Sequence, residues 1–192
     1  MKKVVIIQGN PAPDSFCAGV ADAYRAGAEK QGAQVRQITL RELEFSINLA
    51  NGYKKRTELE PDLVQAQESI KWAEHLVFVY PVWWGTMPAL LKGFLDRILL
   101  PGYAFKYRPN SSFWDKLLTG KSARLLVTMD SPAWYDRFMY GSPSLRSMKK
   151  ATLQFCGVNP VKSTIFPEVR KSSEASRTKW LQQASQLGEK LH

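Results

Sequence analysis

The chain has 192 residues, 44% apolar and 23% charged, which is enough for one domain spanning 1–192 with a substantial core and argues against wholesale disorder. The formal net charge is +10, but Lys and Arg are scattered in short pairs such as Lys54-Lys55 and Lys149-Lys150; this reads as a solvated basic surface, and no nucleic-acid partner is expected. The two cysteines, Cys17 and Cys156, lie far apart with no second Cys or His at metal-ligand spacing, so neither a metal centre nor a disulfide framework is expected.

In chain order, Lys3–Gln8 is an apolar, β-branched run that predicts a strand, followed by an Ala-rich helical pattern over Ser15–Gln31. Gln34–Leu40 predicts a second strand. Leu43–Arg56 is a long excursion without clear periodicity, and Glu58–Trp72 a helix with Pro61 in its first turn. His75–Tyr80 predicts the third, central strand. Pro88–Ile98 carries Leu90, Leu91, Phe94, Leu95 and Ile98 on one helical stripe. A second excursion covers Gly102–Trp114. Arg124–Met129 predicts a strand, Ser144–Phe155 a helix, Val161–Phe166 a strand and Glu174–Leu191 a final helix. Near-continuous apolar runs such as VVII, LVFVY and RLLVTM suit strands buried on both faces of a parallel sheet. The alternation predicts an α/β, doubly wound five-stranded parallel sheet with helices on both faces. The apolar start is too short for a signal peptide and no run approaches a membrane span, so a cytoplasmic location is expected.

Three strand-to-helix connections hold the candidate chemistry. The first, Gln8 to Cys17, has Ser15 as N-cap and leads into a helix whose first turn offers unpaired N–H groups and a positive dipole end, which suit a phosphate. It contains neither G-x-G-x-x-G nor a P-loop, and a plain capped turn explains it equally well. The second, Tyr80–Pro88, sets Trp83 and Trp84 in a loop after the central strand. They suit the apolar wall of a flat ring, or the filling of core or a subunit contact. The third, Thr128–Tyr135, has two aromatics and reads as a ring-lining segment or an ordinary polar loop. His75 reads as structural, no Ser/His/Asp or Cys/His constellation appears, and a hydrolase has little to stand on.

The run Pro81-Val82-Trp83-Trp84-Gly85-Thr86-Met87-Pro88-Ala89-Leu90-Leu91-Lys92-Gly93-Phe94-Leu95-Asp96-Arg97, followed by Gly102-Tyr103-Ala104-Phe105, closely resembles the signature of the NAD(P)H:quinone oxidoreductase family. This flavodoxin-2-like family includes mammalian DT-diaphorase, bacterial modulators of drug activity and ancillary proteins of potassium efflux systems. The resemblance runs from the Asn10–Cys17 turn to Phe155-Cys156-Gly157-Val158, most of the chain. It implies a flavodoxin-like fold, bound flavin (FAD or FMN), NAD(P)H as hydride donor, a quinone-like acceptor, and a homodimer with sites at the subunit interface. Residue by residue, it implies flavin-phosphate binding by Asn10, Ser15, Phe16 and Cys17. The isoalloxazine falls to Pro81, Val82, Trp83, Trp84 and Gly85, with further ring contacts from Thr128, Met129 and Asp130. Phe105 and Tyr107 match aromatics that cap the partner's substrate site.

The chain departs from the family at two points. Met129-Asp130 stand where paired glycines often follow the threonine, and Gly141 falls near the place of a relay histidine in mammalian members. No relay histidine is assigned, and Tyr135 stands alone as the catalytic candidate. The reaction implied is a ping-pong relay, donor and acceptor using one slot in turn. The alternatives are a regulatory subunit docked on a potassium efflux transporter, with which the basic surface is compatible, and a flavodoxin-like electron carrier. The carrier ranks lower, because true flavodoxins lack the signature helix and are typically acidic.

Overall fold

The computed structural model describes residues 1–55 and 57–191; Arg56, the last residue of the first predicted excursion, and His192 lie outside the described residues. Five strands form one sheet: β1 (Lys3–Gln8), β2 (Gln34–Thr39), β3 (His75–Pro81), β6 (Ser122–Thr128) and β7 (Val161–Phe166). Their order is β2-β1-β3-β6-β7 and every pairing is parallel. Each predicted strand is present, with ends moved by at most two residues, as expected where fraying decides the boundary.

Both faces of the sheet are buried, which is why its strands read as continuous apolar runs instead of alternating ones. On one face Val5, Ile7, Leu76, Phe78, Leu125 and Val127 pack against α2 (Pro61–Trp72) and α3 (Ala89–Ile98). On the other, Val4, Ile6, Val77, Val79 and Leu126 pack against α1 (Phe16–Lys30) and α6 (Glu174–Lys190). The last two helices touch backbone to backbone. A methyl added at Gly27 would sit 2.0 Å from the Ser185 carbonyl oxygen, and one at Gly188 would sit 2.2 Å from that of Tyr24. Only glycine permits that approach.

Three elements differ from expectation. The excursion over 102–114 contains a short hairpin, β4 (Phe105–Tyr107) paired antiparallel with β5 (Trp114–Lys116). Its strands are too short to show a period. The third connection is no polar loop: α4 (Ala133–Met139) follows Pro132. The predicted helix from Ser144 begins instead at α5 (Pro143–Arg146) and passes into a π-helical stretch, Ser147–Gln154. The first excursion is irregular after a short 3-10 turn at Leu40–Glu42, but it is strapped down. Arg97, buried on α3, donates to the Ser46 and Glu58 carbonyls and pairs with the Glu60 carboxylate at 2.6 Å.

Candidate functional site

In this sheet the chain steps from β1 outward to β2 and then returns to the other side of β1 as β3. The connections leaving the carboxyl ends of β1 and β3 therefore part in opposite directions and leave a crevice between them, the place where open parallel sheets bind ligands. The connection leaving β6 flanks it. All three sequence-predicted segments thus emerge side by side. Hydrogen bonds lock them together: Gly9 N–H donates to the Val79 carbonyl at 2.8 Å, and Val82 N–H to the Thr128 carbonyl at 2.8 Å. The Cys17 thiol meets the Thr128 hydroxyl at 3.2 Å.

The first wall runs from Gly9 to Cys17. Asn10 is nearly buried, and its Oδ1 accepts from the Ala12 N–H at 3.0 Å, which folds the loop back on itself. Asp14 adopts a left-handed backbone (φ 51°), and its side chain is exposed. Ser15 caps α1 by accepting from the Ala18 N–H. The Phe16 and Cys17 N–H groups at the start of α1 have no hydrogen-bond partner among the described residues, which leaves two donors at the positive end of a helix dipole. The Phe16 ring is engaged elsewhere, between Phe166 and Trp180, so only its backbone faces the crevice. Burial raises the Cys17 thiol pKa, against hydrogen bonds from Thr128 and Asn10 that lower it. The thiol is therefore a neutral packing group.

The second wall is a tight turn. Trp83 and Thr86 exchange backbone hydrogen bonds at 2.8 and 3.0 Å, and the two residues between them, Trp84 (φ 50°) and Gly85 (φ 73°), are left-handed. Glycine suits that conformation; tryptophan does not, and the strain of holding it costs of the order of 1 kcal/mol. The turn leaves the Trp84 and Gly85 N–H groups without partners among the described residues and the Trp84 side chain wholly exposed, with Trp83 partly so. Pro81 is buried at the strand end and Val82 half-buried behind the turn. Gly9 keeps the two walls close, because a methyl there would lie 2.9 Å from Leu91 Cδ2.

The third wall begins at the buried Thr128 and Met129. Met129 N–H donates to the Phe166 carbonyl, and Val169 N–H returns to the Met129 carbonyl. The Asp130 carboxylate accepts from the Arg170 N–H at 2.9 Å, so its charge is held toward the β7 side. On α4, Tyr135 is half-buried with its ring edge-on to Trp134 (5.7 Å) and Tyr140 (5.2 Å), and its hydrogen bond raises the Tyr140 phenol pKa. Buried Tyr80, pushed up to about 12 by burial, accepts from Ser144 and fixes α5 so that Pro143 packs beside Gly85.

Phe105 and Tyr107 are not brought to this crevice. Their hairpin packs on Phe155, with Phe105 5.1 Å away, and is joined to the start of β6 and the approach to β7 through Leu118 N–H to Cys156 and Asn159 N–H to Lys121. That is the opposite end of the sheet. Phe105 is 7% exposed and Tyr107 62%.

Sequence reasoning missed Gly9, Pro143, Ser144 and Tyr140. It also gave no role to Gln8, whose side-chain amide is buried at the end of β1 with neither polar atom partnered among the described residues. A polar residue closing an apolar strand was its one signal.

The walls fit a flavin. Free N–H donors stand where a phosphate and the polar edge of a ring would need them, indole surface flanks the gap, and of the carboxylates in these loops Asp130 accepts from the Arg170 N–H while the Asp14 side chain is exposed to solvent. Among the described residues no His/Cys/Asp/Glu group is disposed to hold a metal ion, and no helix is long and apolar enough to cross a membrane.

Residues 2–190 match the family model described as flavodoxin-like fold. The chain is 27% identical over 201 residues to the human ribosyldihydronicotinamide dehydrogenase [quinone], covering 90% of this chain and 85% of the relative. It is 25% identical over 190 residues to an uncharacterized NAD(P)H oxidoreductase of Haemophilus influenzae, covering 97% and 93%. The solved NAD(P)H:quinone oxidoreductase of Methanothermobacter marburgensis superposes with a TM-score of 0.83 at 26% identity, covering 100% and 98%.

Proposed function

The chain belongs to the flavodoxin-like fold family, and from that premise we propose that it is an NAD(P)H-dependent oxidoreductase that holds FAD or FMN in the crevice and reduces quinones or related flat electrophiles. The observation that carries this reading is the convergence of three strand-end connections, with unpartnered N–H donors at the start of α1 and in the Trp83–Thr86 turn. A bound flavin supplies the chemistry, accepting a hydride from NAD(P)H and releasing it to the acceptor.

The protein's part is binding and orientation. The Phe16 and Cys17 N–H groups, with Asn10 and Ser15 shaping their loop, hold the phosphate. The Trp84 and Gly85 N–H groups grip the polar edge of the ring, while Pro81, Val82 and Trp83 back it. Thr128 and Met129 close the far side through the hydrogen bonds that fix their backbone. Tyr135 lies at the edge of the slot, where its hydroxyl positions the acceptor oxygen. One slot serves both substrates in turn, which makes the kinetics ping-pong.

Phe105 and Tyr107 belong to a second copy's site in this reading. A two-fold pairing sets the hairpin end of one chain over the crevice end of the other, twice, and closes on a homodimer.

The test is the visible spectrum of the purified protein under anaerobic conditions. A yellow protein bleached by NADPH and recoloured by a quinone is expected. A protein that stays colourless when given FMN or FAD would overturn the reading.

A further inference from the structure

Beside the crevice lies a surface that the proposed chemistry does not use. On α4 and just after it, Trp134, Phe138, Met139 and Tyr140 are 62, 74, 63 and 59% exposed. Contiguous apolar exposure on this scale marks an interaction surface. Its charge is one-sided. Between Pro132 and Lys150 the one acidic residue, Asp136, is buried, while Arg137, Arg146, Lys149 and Lys150 supply four cations. Arg137 lies over the Phe138 ring at 5.7 Å and Arg146 beside Gly141. Asp130, the acid just outside this span, is held by the Arg170 N–H.

Exposed Trp and Tyr interleaved with cations are the composition of a face that lies in the headgroup layer of an anionic membrane. We propose that the α4 face docks on an anionic lipid bilayer, beside the crevice that the two-fold pairing proposed above closes with a second copy's hairpin. The naming of the acceptor class rests on the function proposed above: it is then a membrane-dissolved quinone with an apolar tail, drawn from the bilayer past α4. The docking itself needs no flavin and no turnover.

The test is flotation of the full chain, without NAD(P)H, on vesicles of phosphatidylglycerol and phosphatidylcholine against vesicles of phosphatidylcholine alone. Binding is expected to the anionic vesicles, to fall roughly thirtyfold in Arg137→Gln/Arg146→Gln, the weight of two cations near such a surface, and to be lost in Phe138→Ser/Met139→Ser. Reduction of a short, water-soluble quinone should be unchanged in either variant. Absence of binding, binding indifferent to lipid charge, or unaltered binding by both variants would overturn the proposal. So would two other results: variants that sediment as monomers where the parent is a dimer, which would make α4 a contact between copies; or binding to native membranes but not to pure lipid, which would point to a membrane protein. A colourless protein that still floats would sink the flavin reading and leave the docking standing.

Discussion

The Cys17 thiol and the Thr128 hydroxyl, 3.2 Å apart and both buried, join the first turn of α1 to the end of β6 across the sheet. This contact holds two walls of the crevice at a fixed separation although they stand 111 positions apart in the sequence. Thr128→Val keeps the volume and removes the hydroxyl. A lost hydrogen bond of about 1 kcal/mol predicts a rise of about fivefold in the flavin dissociation constant. Cys17→Ser, which retains a hydroxyl partner, should bind nearly as well as the parent. Titration of flavin fluorescence reads both.

Trp84 is held left-handed with its side chain packed on nothing in its own chain. Trp84→Gly relieves the backbone and costs chain entropy, two opposing effects of similar size. Stability measured by denaturant should stay within about 1 kcal/mol of the parent, while flavin affinity falls. A large loss of stability would show that the indole is structural.

Arg97 and Glu60 strap the first excursion to α3. Arg97→Met leaves the Ser46 and Glu58 carbonyls and a half-buried carboxylate without their donor, and about 3 kcal/mol of stability should be lost. Burial alone would raise the Glu60 carboxyl, but hydrogen bonds from Arg97 and the Ser46 N–H prevail and hold it below the usual range. The sign follows: the stabilisation is present above the ordinary Glu pKa and is lost as pH falls through the lowered one. Acid titration of the parent should show this loss, and Glu60→Gln should abolish it.

The sheet was legible because burial on both faces leaves an unmistakable apolar run, and five such runs fall on five strands. The crevice was legible through the Trp83–Thr86 and Ser15–Cys17 segments, where residue types unusual for a loop coincide. The β4–β5 hairpin was not, because strands of three residues have no period to read. Gly9 and Ser144 were not, because their importance lies in contacts with Leu91 and Tyr80, distant in sequence. Nor does sequence order tell that Phe105 and Tyr107 sit at the end of the sheet away from the crevice.

Both thiols are buried and their pKa values raised by desolvation, Cys156 to about 11 and Cys17 against opposing hydrogen bonds. The thiolate is the reactive form. Native protein at neutral pH should therefore react negligibly with iodoacetamide over a time in which denatured protein takes up two equivalents, as read by mass spectrometry.

Placing the hairpin and the crevice at opposite ends predicts complementation. Trp84→Gly damages the crevice side and Tyr107→Ser the capping side. In an equal mixture refolded together, half the dimers pair the two variants and carry one intact site each, so about a quarter of the parent's sites return. Activity no higher than the mean of the two variants alone would exclude a shared site.

The seam where Gly27 meets Ser185 and Gly188 meets Tyr24 bears on how the chain becomes a protein. β1 and α1 are made first and carry half of one apolar face, yet the helix that locks against α1 arrives more than 140 residues later. Until it does, Val20, Tyr24 and Ala28 have sheet beneath them but an uncovered flank. The first structure to form is therefore the last to be sealed, and a side chain larger than hydrogen at either glycine would be felt as a failure to finish rather than a failure to start.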